Sequence, residues 1–427
     1  MMRAATQRPV IVSLVAQHAN EAGALWLRRD EAVRAVDYCL RDLADVDDRL
    51  DAHLQGLRCA GHAGLRACDG LLAAGHPGDL FAPTVLALEN DDAGRLAELL
   101  SIAEAMPPMA RALASAFGWV SPQCLKGVVA TMLSSSSAFA RRVALASCAS
   151  HRVAPGAALS AACRDVDRAV RERAFRTAGE VGAAALLAAL ADGLGQGPEE
   201  GDGYWAASSM VMLGDRGDGL EHLAAVCLEP GPRRTRALQL VLPALGLVGA
   251  RSLLRRLAVR VGDERLLVLA TGWSGDPHYV PWLIAQLGRP QTAALAGEAI
   301  VMITGAMLVL ERLTAAPALG DPDAEPAGDS SVTIEPVLAG EAYLPKGDAQ
   351  KVTAWWTAQR HRFAEPKAYL LGAPAEAAQC IGVLRSGTQH RRIAAAHRLA
   401  LLEPGRAMFE WRAPAWRQVR ALFPVIA

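Results

Sequence analysis

Asp165-Val-Asp-Arg-Ala-Val-Arg-Glu-Arg-Ala-Phe-Arg-Thr-Ala-Gly-Glu-Val-Gly182 is the stretch on which the fold turns. Asp167 stands where a side-chain oxygen can accept from the first free amides of a helix, which predicts an N-cap there. Val170, Ala174 and Ala178 follow at i, i+4 and i+8, a single helical face. Gly179 and Gly182 suit the left-handed turn that closes a helix C-terminus, as do Gly217, Gly249 and Gly275 further on.

The same pattern, a helix rich in Arg and Ala that ends in a Gly-containing turn, recurs on both sides. Arg111–Gly118, Arg142–Ser150, Arg171–Gly179, Trp205–Gly214, Arg236–Gly246, Arg265–Gly272 and Ala294–Gly305 end at steps of 32, 29, 35, 32, 26 and 33 residues, about 31 on average. One short helical hairpin fits that period, and Pro155, Pro232, Pro277 and Pro290 fall between helices, where a missing amide hydrogen costs least. A lone hairpin cannot bury its apolar stripe, so neighbours must stack. The expected fold is therefore all-α, an α-solenoid of stacked hairpins.

Four segments follow. Residues 1–104 read as an N-terminal helical capping region, with Leu40, Leu43, Val46, Leu50, Leu54 and Leu57 on one face of its second long helix. Residues 105–314 are the repeat array. From 315 to 350, prolines mix with Asp and Glu and helical periodicity vanishes, which predicts an acidic, proline-rich loop or insert. Residues 351–427 return to helical hairpins that close the array, with a last helix over Ala413–Phe423.

Composition agrees. Of 427 residues, 52% are hydrophobic and only 5% aromatic, and the Val/Ile/Thr alternation of strands is scarce. Forty-four basic residues balance forty-four acidic ones, leaving no global field for a polyanion, so nucleic acid is not an expected partner. Eight scattered cysteines without a C-x-x-C pair read as free, mostly buried thiols in a reducing compartment. Met1 to Pro9 is followed by no signal-peptide core, and the most apolar run, Ala299 to Leu310, is far short of the roughly 20 residues a spanning helix needs. A cytoplasmic protein without membrane insertion is expected.

Asp167, Val170-Arg171, Ala174, Gly179 and Gly182 fall where HEAT and HEAT-like lyase repeats place their Asp, Val-Arg, Ala, Gly and Gly. The resemblance implies HEAT-like hairpins with Arg and Asp residues linking adjacent layers, and no particular activity. Leu25-Trp-Leu-Arg-Arg29, Asp47 to Arg58, Cys59-Ala-Gly61, Trp355-Trp356, Arg362-Phe363, Tyr369 to Gly372 and Phe409 to Pro414 also resemble a proteobacterial family of HEAT-repeat proteins without an assigned reaction. Some members of that family sit in type VI secretion gene neighbourhoods.

Little in the sequence points to catalysis. Ten histidines form no H-E-x-x-H, no i, i+4 pair and no Cys/His knuckle, so no metal site is expected; His390 and His397 come closest to sharing a face and read as solvated or hydrogen-bonded. There is no G-x-S-x-G elbow, and Ser134 to Ser137 read as a linker. Gly193-Leu-Gly-Gln-Gly197 follows a helix and precedes acidic residues, the wrong sign for phosphate. Asp45, Asp47, Asp48 and Asp51 read as a solvent-facing charged stripe opposite the Leu stripe. No cofactor and no enzyme is expected.

The scarce aromatics carry the binding hypothesis. Trp119, Trp205, Trp273 and Trp282 fall near the ends of repeat helices, where a groove can display them, although core packing is the commoner fate of any single one. Trp355 and Trp356 point about 100° apart on a helix and cannot share one narrow core stripe. With Arg362 and Phe363 they form a candidate docking feature. The leading expectation is a scaffold that binds a protein partner on the concave face of the array. Its rival is an enzyme of HEAT-like architecture, such as a DNA alkylpurine glycosylase or a bilin lyase, which calls for an Arg/Trp groove with one buried carboxylate.

Overall fold

The computed structural model describes residues 10–195, 202–260, 262–315 and 337–423. Most of the expected acidic insert, 316–336, lies outside the described residues, as do Met1 to Pro9 and the end of the Gly193–Gly197 stretch. Among the described residues the protein is all-α: twenty-two α-helices, with a single two-stranded antiparallel ribbon that pairs Tyr369–Leu370 with Ala373–Pro374. None of these helices is long and apolar enough to cross a membrane. Contacts divide the chain into two compact units, one of Met1–Val33, Leu40–Val181 and Glu410–Ala427, the other of Arg34–Cys39 and Gly182–Phe409.

The first unit opens with α1 (Val12–Ala32) and α2 (Leu40–Ala60), two long helices packed along each other. All six residues of the predicted Leu stripe on α2 are buried, and Leu50, Leu54 and Leu57 share a core with Val15, Ala19, Ala22, Leu25 and Trp26 of α1. Each such Leu is worth at most about 1.5–3 kcal/mol of apolar burial. There follow α3 (His62–Leu72), α4 (Phe81–Glu89), α5 (Ala93–Ala105), α6 (Pro107–Trp119), α7 (Val128–Leu133), α8 (Ala138–His151), α9 (Ala157–Ala162) and α10 (Arg168–Val181). Alternate helices stack, α4 on α6, α6 on α8 and α8 on α10, while α5, α7 and α9 each pack beside the next helix in the chain. In the segment that opened the reading, the cap and the apolar face are as predicted: Asp167 Oδ1 accepts from Val170 N at 2.9 Å, and Val170, Ala174 and Ala178 are fully buried.

Asp47 corrects the sequence reading. It is fully buried rather than part of a solvated stripe. Its Oδ1 accepts from Arg29 Nε at 2.5 Å and its Oδ2 from Ala415 N at 2.6 Å, and Arg29 Nη2 also donates to the carbonyls of Arg412 and Ala413 at 3.0 Å each. The last helix, α22 (Ala415–Leu422), is thereby fixed against α2 within this unit. Asp51, one turn on, is the surface residue the sequence suggested, paired with Arg58 at 3.1 Å.

The second unit contains α11 (Leu187–Leu194), α12 (Asp202–Met212), α13 (Asp218–Val226), α14 (Arg234–Ala244), α15 (Gly246–Ala258), α16 (Glu264–Ser274), α17 (Val280–Gln286), α18 (Ala293–Thr304), α19 (Ala349–Gln359), α20 (Ala377–Ser386) and α21 (Gln389–Leu402). The alternation repeats here: α12 packs on α14, α14 on α16 and α16 on α18, with α21 against α12 and α14. Every residue of α18 except Ala294 is buried.

Glycines do two different jobs. Gly118, Gly179 and Gly272, expected as helix closers, lie inside α6, α10 and α16. At Gly272 the reason is close packing, since a Cβ there would stand 2.8 Å from the Ala299 Cα of α18. The closers of α16 and α18 are Gly275 (φ 71°) and Gly305 (φ 69°), both left-handed. The segment Tyr369–Gly372 runs over these two ends, with Tyr369 N donating to Gly275 O at 2.8 Å and Leu371 N to Met302 O at 2.7 Å. Any side chain at Gly275 would meet the Tyr369 carbonyl at 2.4 Å.

Candidate functional site

Within the second unit, α15, α16 and the start of α17 leave a cleft of about 310 Å³. Its apolar walls are Leu254 and Ala258 of α15 and Leu267 of α16. Thr271 stands at the wall too, but its hydroxyl is committed, donating to Val268 O at 2.7 Å. Four polar groups converge on this apolar lining: Arg255 from α15, His278 and Tyr279 from the 3₁₀ turn Pro277–Tyr279, and Trp282 from α17.

Local chemistry explains why the turn holds its shape. Asp276 caps it, accepting from His278 N at 3.1 Å, and Pro277 presets the first turn position. Asp276 is itself buried and clamped from α15 by Arg251, whose Nε and Nη2 donate at 2.6 and 3.0 Å. That clamp holds the Arg251 guanidinium protonated well above its ordinary range. Ser274 Oγ accepts from Asp276 N at 3.2 Å and closes the connection. A helix start and the facing helix are thus joined by a two-bond ion pair, and the groups beyond it project into the cleft.

Those groups are donors without acceptors. The Arg255 guanidinium, the His278 ring nitrogens, the Tyr279 hydroxyl and the Trp282 indole N–H make no hydrogen bond or ion pair with any described residue. Burial and the nearby Asp276 push the Tyr279 hydroxyl up in pKa, against Arg251 and Arg255, so the phenol stays neutral and can donate. His278 and Tyr279 meet edge to face, ring centres 5.3 Å apart. No carboxylate lines the cleft among the described residues. An apolar cavity with a few convergent donors binds an apolar body carrying an acceptor or negative charge.

The sequence-selected residues divide. Trp282 lines the cleft, half-buried. Trp273 is interior, 4% exposed, and its carbonyl accepts from Arg398 at 3.2 Å. Trp119 is also buried, packed against Phe81 and Trp416 in the first unit with the Arg29 guanidinium 5.6 Å from its ring centre. Neither can be reached by a partner, because a helix-terminal position places an indole over the neighbouring layer as readily as over a groove. Trp205 is half-buried under Arg236, 5.5 Å away. Trp356, Arg362 and Phe363 do come together, with Trp356 and Phe363 ring centres 5.3 Å apart and Arg362 5.9 Å from the latter. Phe363 is nevertheless buried, and half-buried Trp355 spends its N–H on Glu311. Arg255, His278 and Tyr279 went unselected. The signal present was Tyr279 and Trp282 three residues apart at a proline-marked helix start, on one face.

Buried carboxylates elsewhere are saturated. Glu298 on α18 accepts from His390 at 2.6 Å and from Arg391 at 2.8 and 2.6 Å. Burial alone would raise its pKa, but His390 and Arg391 outweigh that and hold it at about 2. His390 is thus hydrogen-bonded, as its sequence setting suggested. Glu180 on α10 is likewise driven up by burial and held far below the carboxylate range by Arg173, Arg176 and their neighbours. Such groups are structural anchors, ionised and bound by arginine, with no proton to offer a substrate. Five of the eight cysteines are buried, and burial pushes the Cys68 and Cys227 thiols to about 12. No three His, Cys, Asp or Glu side chains gather as a metal site among the described residues.

Compared with family models, with curated proteins and with solved structures, the chain matches none.

Proposed function

We propose that this protein is a non-catalytic protein-binding scaffold, an α-solenoid of HEAT-like hairpins with an N-terminal helical cap. The alternate-helix packing within each unit supports the repeat reading, and so do its Arg–Asp links. Arg141 bonds Asp165, Arg234 bonds Asp263 and Arg251 bonds Asp276, spacings of 24, 29 and 25 residues, the kind of interlayer pair that the HEAT resemblance implies.

The cleft between α15, α16 and α17 carries the functional half of the proposal. It offers unpaired donors on an apolar wall, the chemistry of recognition, and presents no carboxylate or activated nucleophile. The HEAT-like enzyme alternative needs a free buried acid, whereas Asp47, Asp276, Glu180 and Glu298 are each bound by arginine. The partner is a protein rather than nucleic acid, with no cofactor, and the balanced charge supports this. The free buried thiols favour a cytoplasmic setting, and the family resemblance favours an accessory role beside a type VI secretion machine.

The test is affinity purification of the full chain from native lysate of its source organism, followed by mass spectrometry. At least one protein retained in near-stoichiometric amount at roughly 150 mM salt is expected, since a specific interface survives screening of surface charge. A preparation that brings down no protein above background contradicts the scaffold.

A further inference from the structure

Along α15, Val248, Ser252, Arg255 and Val259 follow at steps of four, three and four residues and are all exposed, Val248 at 84% and Val259 at 81%. They form a stripe of roughly 16 Å at 1.5 Å per residue that begins outside the cleft and passes its mouth. The buried face of the same helix is Ala250, Leu253, Leu254 and Leu257, so the stripe is not needed for packing. A cavity of about 310 Å³ holds one or two side chains, while the stripe matches about five extended residues. This length favours a polypeptide over a small molecule.

Charge selects which polypeptide. Arg255 and Arg256 stand exposed in the last turn of α15 with no ion pair to any described residue. Asp276 and Glu365 are taken by Arg251 of the same helix at 2.6 and 3.4 Å. The cleft mouth therefore carries the positive charge of these arginines beside the donors of His278, Tyr279 and Trp282 and an apolar floor.

Building on the scaffold reading, we propose that the α15–α17 cleft takes an acidic peptide segment of the partner. An aromatic or branched aliphatic side chain enters between Leu254, Leu267 and Trp282, and an adjacent Asp or Glu carboxylate meets Arg255 and the Tyr279 hydroxyl. Arg255 supplies a fork that matches a carboxylate. Trp282 supplies a flat apolar wall with one N–H for the peptide backbone.

The experiment is selection of a randomised dodecapeptide library on the immobilised full chain, with fluorescence anisotropy on the winning synthetic peptide. Enrichment of a large apolar residue within two positions of Asp or Glu is expected. Its affinity falls at least tenfold for Arg255→Glu and for Trp282→Ala, and the peptide with Lys in place of the acid prefers Arg255→Glu to the native chain. Arg255 is exposed, so Arg255→Glu keeps the native circular dichroism and melting temperature and stands as the decisive variant if Trp282→Ala unfolds. Failure to enrich any peptide, enrichment of basic peptides, or equal affinity for the native chain and Arg255→Glu overturns the proposal. Saturation-transfer NMR with indole-3-acetate is the small-molecule arm: a signal lost in Arg255→Glu while no peptide binds also overturns it. Using Arg255→Glu as bait in the lysate purification separates the two readings. A partner kept equally by both chains removes the cleft and leaves the scaffold, and a partner lost only by the variant supports both.

Discussion

At the scale of single residues, burial decides what a charge is worth. Arg29 and Asp47 lie inside the first unit, and Asp47 also accepts an amide from α22. Removing one member leaves the other buried and unpaired, so Asp47→Ala is expected to cost about 3–5 kcal/mol in urea denaturation. Asp51→Ala, one turn away on a half-exposed carboxylate, is expected to cost under about 1 kcal/mol; equal losses would contradict this assignment. The sequence could not separate these two aspartates, because the residues that bury Asp47 arrive from Arg29 and from positions 412–415. His151 carries a second prediction. Its Nε2 donates to Phe117 O at 2.8 Å, so Nδ1 accepts from Arg417 at 2.7 Å and the ring is held neutral. Burial lowers its pKa, Phe117 opposes this and Arg417 reinforces it. A folded pKa below the unfolded value of about 6.5 means full stability above that pH and progressive loss as pH falls through the folded value. The melting temperature should therefore drop from pH 7.5 to 5, less steeply in His151→Gln. His53 and His222 shift the same way and supply the remaining slope. An unchanged slope in the variant would count against the neutral ring.

Elements were legible where their signal is local. The Asp167 cap, the Val170–Ala174–Ala178 face and the Leu stripe of α2 each lie within one helix, and all are present as read. Helix closure was half legible, since composition marks a glycine but not whether it ends a helix or lets another helix approach. Gly275 and Gly272 show both cases three residues apart. Gly275→Ala is expected to cost at least about 1–2 kcal/mol for the left-handed backbone alone, and more because the new methyl meets Tyr369 O. Gly231→Ala, with open space around it and no positive φ, is expected to be neutral or to stabilise by about 0.4–1 kcal/mol. Thermal melts of the two variants check the contrast, and similar melting temperatures would refute it. The cleft was the least legible element, because its donors sit on two helices and a turn between residues 254 and 282 and mean nothing until those elements are packed.

For the molecule as a whole, equal numbers of acidic and basic residues leave no long-range field. The chain is expected to pass through a heparin column at roughly 150 mM salt, where a protein making several phosphate contacts is retained; retention to high salt would favour the nucleic-acid enzyme instead. On the repeat reading proposed above, what holds each unit together is the stacking of alternate helices, with the exposed faces of the helices between them presenting groups such as Arg255 and Trp282. Hydrogen–deuterium exchange of the full chain, read by mass spectrometry, tests that division most directly, because protection follows the free energy of local opening. The slowest amides are predicted in α8, α10, α16 and α18, with α7, α9, α13 and α17 exchanging at least tenfold faster. Uniform rates across both sets, or slower exchange in the second, would contradict a fold built on stacked alternate helices.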